Sequence, residues 1–373
     1  MVNVRVLTYV SKFLGDNIPG LESQIYEEYI RLSKQISLIV IAEEISTGQL
    51  YKNLSLVKVP RVSIPKIRGL FKIFGYSLAT IKHRNNYDLV YVRTFSPPEL
   101  IAGIVAKKIL KKPLILLIPG SWMFIGNSFK TRISRSIYHN AISSADTIIV
   151  YSKLIIPEIE SLVGKIDQSK IIIIKNAVDT IRFKPNSSRN NNTILYVGRI
   201  NPLKKIEDII AALPAVIKSN PDVKVNIVGL IESKNYLHHL KDLILKLNCE
   251  KSVNFVGPIS HDKIISYYND SHIFVFMGRN EGIPRSILEA MACGKPVIAA
   301  PNSGIPDVID DGINGFLVNN NQPNLLAEKI ITLLNDKKYR ENIGLAARKT
   351  IEDKFTWESF VEQLTKLFRD TLV

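Results

Sequence analysis

Short runs of three to seven residues rich in β-branched and apolar side chains recur along the chain, spaced by longer stretches of helical period. Six occupy the first half: Val4–Val10, Ile36–Ile41, Leu89–Val92, Leu114–Ile118, Thr147–Val150 and Ile171–Ile174. Runs apolar at every position predict strands covered on both faces, so helices must flank a parallel sheet. A second series follows at Thr193–Val197, Lys224–Val228, Val253–Val256, Ile273–Phe276, Pro296–Ala299 and Phe316–Val318. Two doubly wound halves in succession predict two Rossmann-like domains facing across a cleft, with ligands at the carboxyl ends of the strands. Between the series, N-S-S-R-N-N-N (Asn186–Asn192) contains only polar turn formers and is the best linker candidate. Trp357–Leu372 has the helical period, with Phe360, Leu364, Leu367, Phe368 and Leu372 on one face.

Composition narrows the class. A chain of 373 residues suits two α/β domains, and 46% apolar content argues for a folded protein. Its two cysteines, Cys249 and Cys293, lie far apart. They offer neither a disulfide framework nor metal-ligand spacing, which fits a reducing cytosolic compartment. The opening M-V-N-V-R-V-L-T-Y-V reads as a first strand, not a signal peptide, and no run is long enough to span a bilayer.

The formal charge of +15 is concentrated: residues 51–140 hold 16 Lys and Arg against two acids, Asp88 and Glu99. Such a patch attracts nucleic acid, anionic headgroups or diphosphate-linked substrates. Within it, Arg61–Arg84 mixes Ile, Leu, Phe and Tyr with basic residues and no acid. That pattern fits a helix lying on an anionic membrane surface, or a core-facing helix with a basic outer side; periodicity does not separate them.

Two motifs carry chemistry. In I-L-Y-V-G-R-I-N-P-L-K-K (Ile194–Lys205) a strand ends at Gly198, followed by Arg199 and, five residues on, Lys204. The guanidinium fork and the ammonium suit a diphosphate, although a solvated basic turn has the same pattern. In E-G-I-P-R-S-I-L-E-A-M-A-C-G-K-P-V-I-A-A (Glu281–Ala300), two glutamates flank a turn and a helix start at Ser286. Pro284 suits the first turn, leaving the N–H groups of Arg285, Ser286 and Ile287 for an anion. One glutamate could serve the helix dipole; two beside a phosphate-suited turn point to hydroxyl-rich partners. The loop Phe13–Glu22 contains Gly15 and Gly20 but lacks dinucleotide spacing. His238-His239 and Asp310-Asp311-Gly312 read as a polar helix and a turn, not as metal sites.

With A-D-T-I-I-V-Y-S (Ala145–Ser152), N-A-V-D-T-I-R-F-K-P (Asn176–Pro185), F-V-G-P-I-S (Phe255–Ser260) and F-T-W (Phe355–Trp357), these motifs resemble the retaining glycosyltransferases of family four nearly end to end. The resemblance implies the GT-B fold: an acceptor-side domain at 1–176, a donor-binding domain at 177–356, and a final helix (357–373) crossing back to the first. It implies that Arg199 and Lys204 bind the donor diphosphate and stabilise it as it leaves. Glu281 would hold donor-sugar hydroxyls and Glu289 those of the ribose. Gly198, Gly282, Ile283, Arg285 and Ser286 would complete the donor site, backbone at Pro258 and Ile259 would line the base, and Gly15 or Gly20 would approach the phosphate. No cofactor or divalent metal is implied, the cations and the helix dipole standing in for one. Many relatives carry a His after the fifth strand; here L-L-I-P-G-S-W places Pro119 there, leaving Ser121 and Trp122 as candidate sugar contacts.

The expected partners are a nucleotide-diphosphate sugar, an acceptor glycan or lipid-linked sugar, and an anionic membrane surface through residues 51–140, without nucleic acid. The expected location is cytoplasmic or the inner face of the membrane. A GT-B sugar-nucleotide epimerase is the alternative enzyme, but its acid and His constellation is not visible. A nucleic-acid-binding protein would explain the charge but not Glu281 and Glu289.

Overall fold

The first sheet grows from a run whose centre is buried at every position: Val6–Val10 within β1 (Arg5–Phe13). The computed structural model describes residues 4–13, 21–46, 51–93, 96–120, 129–186, 192–260 and 262–372. After β1 come α1 (Leu21–Leu32), β2 (Ser37–Ile45), β3 (Leu54–Lys58), α2 (Pro65–Lys82), β4 (Leu89–Val92), α3 (Pro97–Lys108), β5 (Leu114–Ile118), α4 (Phe129–Ser144), β6 (Thr147–Val150), α5 (Ile156–Val163) and β7 (Ile171–Ile173). All seven strands are parallel, in the order β3-β2-β1-β4-β5-β6-β7. The central strands β4 and β5 are buried throughout, as fully apolar runs require. Val90, Leu116 and Ile148 from neighbouring strands share one buried cluster with Leu100 of α3 and with Tyr138 and Ile142 of α4.

β1 and β2 run on past the apolar segments that mark them in the sequence, to Phe13 and Ile45. The edge strand β3 has no counterpart among the apolar runs. Its L-S-L-V-K is only partly buried, so it lacks the dense apolar signature of the interior strands, and pairing with β2 makes it a strand.

The second series gives β8 (Thr193–Val197), α6 (Ile206–Ser219), β9 (Lys224–Val228), α7 (Lys234–Lys246), β10 (Val253–Gly257), α8 (Ile264–Asp270), β11 (Ile273–Phe276), α9 (Arg285–Ala292), β12 (Val297–Ala299), β13 (Phe316–Leu317), α10 (Pro323–Asn335), α11 (Lys337–Lys354) and α12 (Trp357–Asp370). Its six strands are again parallel, ordered β10-β9-β8-β11-β12-β13. Order reverses beside β8, the switch point where an open α/β sheet presents its ligand crevice.

The chain divides into two compact units, Met1–Lys175 with Trp357–Val373, and Asn176–Thr356. The division corrects the choice of Asn186–Asn192 as linker: described residues on both sides of that tract belong to the second unit. The last helix, α12, packs on α1. Trp357, Phe360, Val361, Leu364 and Phe368 are buried, and the Arg31 guanidinium lies 5.3 Å from the centre of the Trp357 ring. Among the described residues no helix is long and apolar enough to cross a membrane.

Candidate functional site

Three neighbouring strands of the second unit reach glycine at their carboxyl ends: Gly198 after β8, Gly229 after β9 and Gly257 closing β10. The Gly198 N–H donates to Val228 O and the Gly229 N–H to Gly257 O, both at 3.0 Å. Gly229 has φ of 150°, and a Cβ there would stand 1.9 Å from Gly198 O. At Gly229 no side chain fits. Gly229→Ala is expected to lower the unfolding free energy by about 2 kcal/mol or more in urea titration, with an unchanged m-value.

Beyond Gly198 the chain makes a tight turn. Asn201 Oδ1 accepts from the Leu203 N–H (3.0 Å), capping a 3-10 turn over Pro202–Lys204, and Lys205 takes a left-handed φ of 51° before α6 begins. This turn sends Lys204 inward, 4% exposed, with Nζ 5.6 Å from the centre of the Phe276 ring. The loop after β11 is stitched alongside by the Arg279 N–H, which donates to Leu203 O (2.8 Å). Lys204 Nζ there meets Glu281 Oε1 in an ion pair. Arg199 stays more open and donates from Nη1 to Glu232 Oε1 (2.7 Å), while Asn201 Nδ2 donates to Glu232 Oε2 (2.6 Å).

Burial, aided by Arg199, pushes the Lys204 ammonium down to about 7, with Glu232 opposing. Contact with the Glu281 carboxylate also favours the charged form. The direction is still downward, because so little of Lys204 reaches water. Burial works to raise the Glu232 carboxyl, but Asn201 and Arg199 outweigh it and hold it below its usual range.

The second motif is held by side chains remote in sequence. Asn320 Nδ2 donates to Met277 O and to Asp208 Oδ2, both at 2.8 Å, and its Oδ1 accepts from Arg279 Nε (3.0 Å) and Asn302 Nδ2 (2.9 Å). Asn176 Nδ2 donates to Ile283 O (3.0 Å), fixing the far side of the turn. Glu281 emerges partly exposed from this loop, whereas Glu289, within α9, is buried. Glu289 Oε2 accepts from the Tyr268 hydroxyl (2.8 Å) and Oε1 lies 2.8 Å from Arg285 Nε.

Two details correct the sequence reading. Pro284 precedes α9 as its cap and is not in its first turn, and the Ile287 N–H donates to Pro284 O (3.1 Å) instead of facing an anion. Capping geometry closes the first turn one residue earlier than the motif suggested.

Of the remaining candidates, Gly282 and Ile283 are buried in the turn and Ser286 is half-buried on α9. Pro258 is exposed and Ile259 half-buried, just past β10. Pro119 follows β5 and is half-buried. Gly15, Gly20, Ser121 and Trp122 lie outside the described residues. Sequence reasoning misses Glu232, Asn201, Tyr268 and Asn320. Asn201 carries a signal, since Asn before Pro commonly starts a turn; nothing in spacing links Glu232 to Arg199.

Two parallel-sheet α/β units, one with buried and open cations meeting carboxylates at its switch point, have the architecture of the GT-B class. Residues 18–182 match the model of Glycosyltransferase Family 4 and residues 177–350 that of Glycosyl transferases group 1. The chain belongs to this glycosyltransferase family. An uncharacterized glycosyltransferase of Methanocaldococcus jannaschii is 27% identical, the match covering 92% of this chain and 93% of that protein. The capsular polysaccharide biosynthesis glycosyltransferase CapM of Staphylococcus aureus is 28% identical, covering 100% and 98%. In fold, the chain matches Anabaena HepE in complex with UDP (TM-score 0.77, 20% identity, 98% of this chain and 100% of that one). It also matches sucrose-phosphate synthase of Thermosynechococcus elongatus (TM-score 0.81, 18% identity, 99% of each).

Proposed function

We propose that the protein moves a sugar from a nucleotide-diphosphate donor to a hydroxyl of a lipid-linked or polysaccharide acceptor, retaining the anomeric configuration and using no divalent metal. The observation that carries this is the pairing of Lys204 with Glu281 beside Arg199 and Glu232 at the glycine-ended crest. When the bond from the sugar to the diphosphate breaks, negative charge grows on the departing phosphate oxygen. In this reading Lys204 and Arg199 hold that charge, exchanging Glu281 and Glu232 for phosphate oxygens, in the electrostatic role a metal would otherwise fill.

Released from Lys204, Glu281 can accept hydrogen bonds from donor-sugar hydroxyls. Glu289 can take the ribose diol once Arg285 turns away, with Tyr268 continuing to orient it. HepE has been captured with UDP and with UDP-glucose, which supports a nucleotide-sugar donor here. The name of CapM supports a polysaccharide precursor as acceptor, and the basic first unit supports an acceptor presented at an anionic membrane surface.

The test is a thermal-shift and calorimetric panel of UDP, GDP and ADP with the wild type and with Arg199→Ala/Lys204→Ala. One nucleotide should raise the melting temperature of the wild type and fail to do so in the double variant. A chain that ignores all three, or a double variant that responds like the wild type, removes the diphosphate assignment.

A further inference from the structure

Helix α2 is packed inside out. At 100° per residue, Ile64, Ile67, Leu70, Phe71, Phe74, Leu78 and Ile81 fall within about 120° of its circumference, the stripe that an ordinary surface helix buries. Here the stripe faces outward: Leu70 is 68% exposed, Phe71 52%, Phe74 68% and Leu78 53%, with Ile64 before the helix at 57%.

The inner face sends Tyr76 and Ala79 into the core cluster, and its polar groups tie it down. Tyr76 donates to Val10 O (2.9 Å), the Thr80 and Tyr9 hydroxyls bond at 2.8 Å, and Lys72 Nζ lies 2.9 Å from Glu99 Oε1 and 2.6 Å from Ser11 Oγ. Glu99 and Glu43 are both buried, and Arg68 reaches Glu43 at 3.3 Å. Turning the helix over to hide its phenylalanines would break these bonds and strand two buried carboxylates.

We propose that the outer face of α2 is an interfacial membrane-binding surface that seats the first unit on an anionic bilayer. Charge complementarity selects this occupant. Of the eight Lys and Arg between residues 45 and 87, Arg61, Arg68 and Lys72 pair with Glu44, Glu43 and Glu99, whereas Lys52, Lys58, Lys82 and Arg84 are exposed, the last two at the end of the helix. Aromatic and aliphatic side chains flanked by cations are the composition that sinks into the headgroup boundary of anionic lipid. A second copy docking through the same patch would bring like charges together across a two-fold axis. The stripe is also small for a stable protein interface. A helix of this length is about 27 Å long and on the order of 10 Å wide, against the roughly 800 Å² per partner that such interfaces bury.

This makes specific the membrane partner of the proposed function, and it is tested without nucleotide so that failure of the donor site leaves it untouched. The full chain is floated with vesicles of phosphatidylcholine alone and with about one third phosphatidylglycerol, a composition that supplies the surface charge at issue. The wild type should partition onto the anionic vesicles and lose that binding at high salt. Phe71→Ser/Phe74→Ser, whose side chains are exposed, should fold as the wild type by circular dichroism and bind at least tenfold more weakly. Lys58→Glu/Lys82→Glu/Arg84→Glu should abolish the preference for anionic lipid. The proposal is overturned by equal recovery of wild type on both vesicle types, by wild-type binding of the phenylalanine variant, or by self-association that the phenylalanine variant abolishes while vesicles bind neither protein.

Discussion

Lys204→Ala is expected to lower kcat/KM for the nucleotide-sugar by about 10²–10³-fold, the loss produced by removing one preorganised group that meets charge developing in the transition state. Most of the loss should fall on kcat, because the ammonium matters most when the phosphate oxygen becomes fully charged. Lys204 also carries a pH signature. Its proton is weakly held for a lysine, about 7, through burial and Arg199. A diphosphate binds the protonated form, so binding takes up a proton, and affinity falls as pH rises above the pKa of the free enzyme. The apparent Kd for the bound nucleotide should rise by up to about tenfold per pH unit above 7, less to the extent that Glu281 retains the proton. The slope should disappear in Lys204→Ala. Steady-state kinetics and calorimetry in buffers of different ionisation enthalpy read both effects. A variant within threefold of wild type, or one that keeps the slope, means that Lys204 does not touch the diphosphate.

Glu28→Ala is expected to destabilise the first unit by about 3–5 kcal/mol, the cost of leaving a buried charge without its partner. Arg93, at the end of β4, is 0% exposed; its Nε pairs with Glu28 and Nη2 donates to the Tyr151 hydroxyl (3.2 Å). Its Nη1 has no hydrogen-bond partner among the described residues. Glu28, on α1, also accepts from the Tyr91 hydroxyl (2.8 Å), and burial raises its carboxyl pKa against the pull of Arg93. Removing it leaves a guanidinium among tyrosines. For a unit of this size the melting temperature should fall by roughly 10 °C. Glu28→Gln, which keeps an acceptor for Tyr91 but not the charge, should lose a large part of that stability. A Glu28→Ala melt within 2 °C of wild type, on the order of 1 kcal/mol or less, would show that Arg93 carries no uncompensated charge.

The strands were legible where burial is complete. β4, β5 and β11 are buried throughout, so every residue must be apolar, and a run of that kind has few other uses. β3 escaped because an edge strand pairs on one side only and can carry Ser55 and Lys58 outward. In the site, Arg199, Lys204 and the two glutamates stood out as charges beside strand ends. Their partners did not, because hydrogen bonds between loops depend on which strands lie side by side.

From the amino-acid order alone came what depends on neighbours along the chain: two α/β series, the glycine-ended strand before Arg199, the two acids around Pro284, and an amphipathic Arg61–Arg84. Tertiary structure decided what depends on neighbours in space. It joined Lys204 to Glu281, 77 residues apart, and Asn201 to Glu232, because β8 and β11 adjoin and β9 lies on the other side of β8. It buried Glu289 against Tyr268 and left Glu281 partly open, although the two look alike in sequence. It also chose the face of α2. Periodicity shows that a helix has two sides; in the fold Tyr76, Ala79 and Thr80 are buried and Lys72 pairs with the buried Glu99, which leaves the phenylalanines outside.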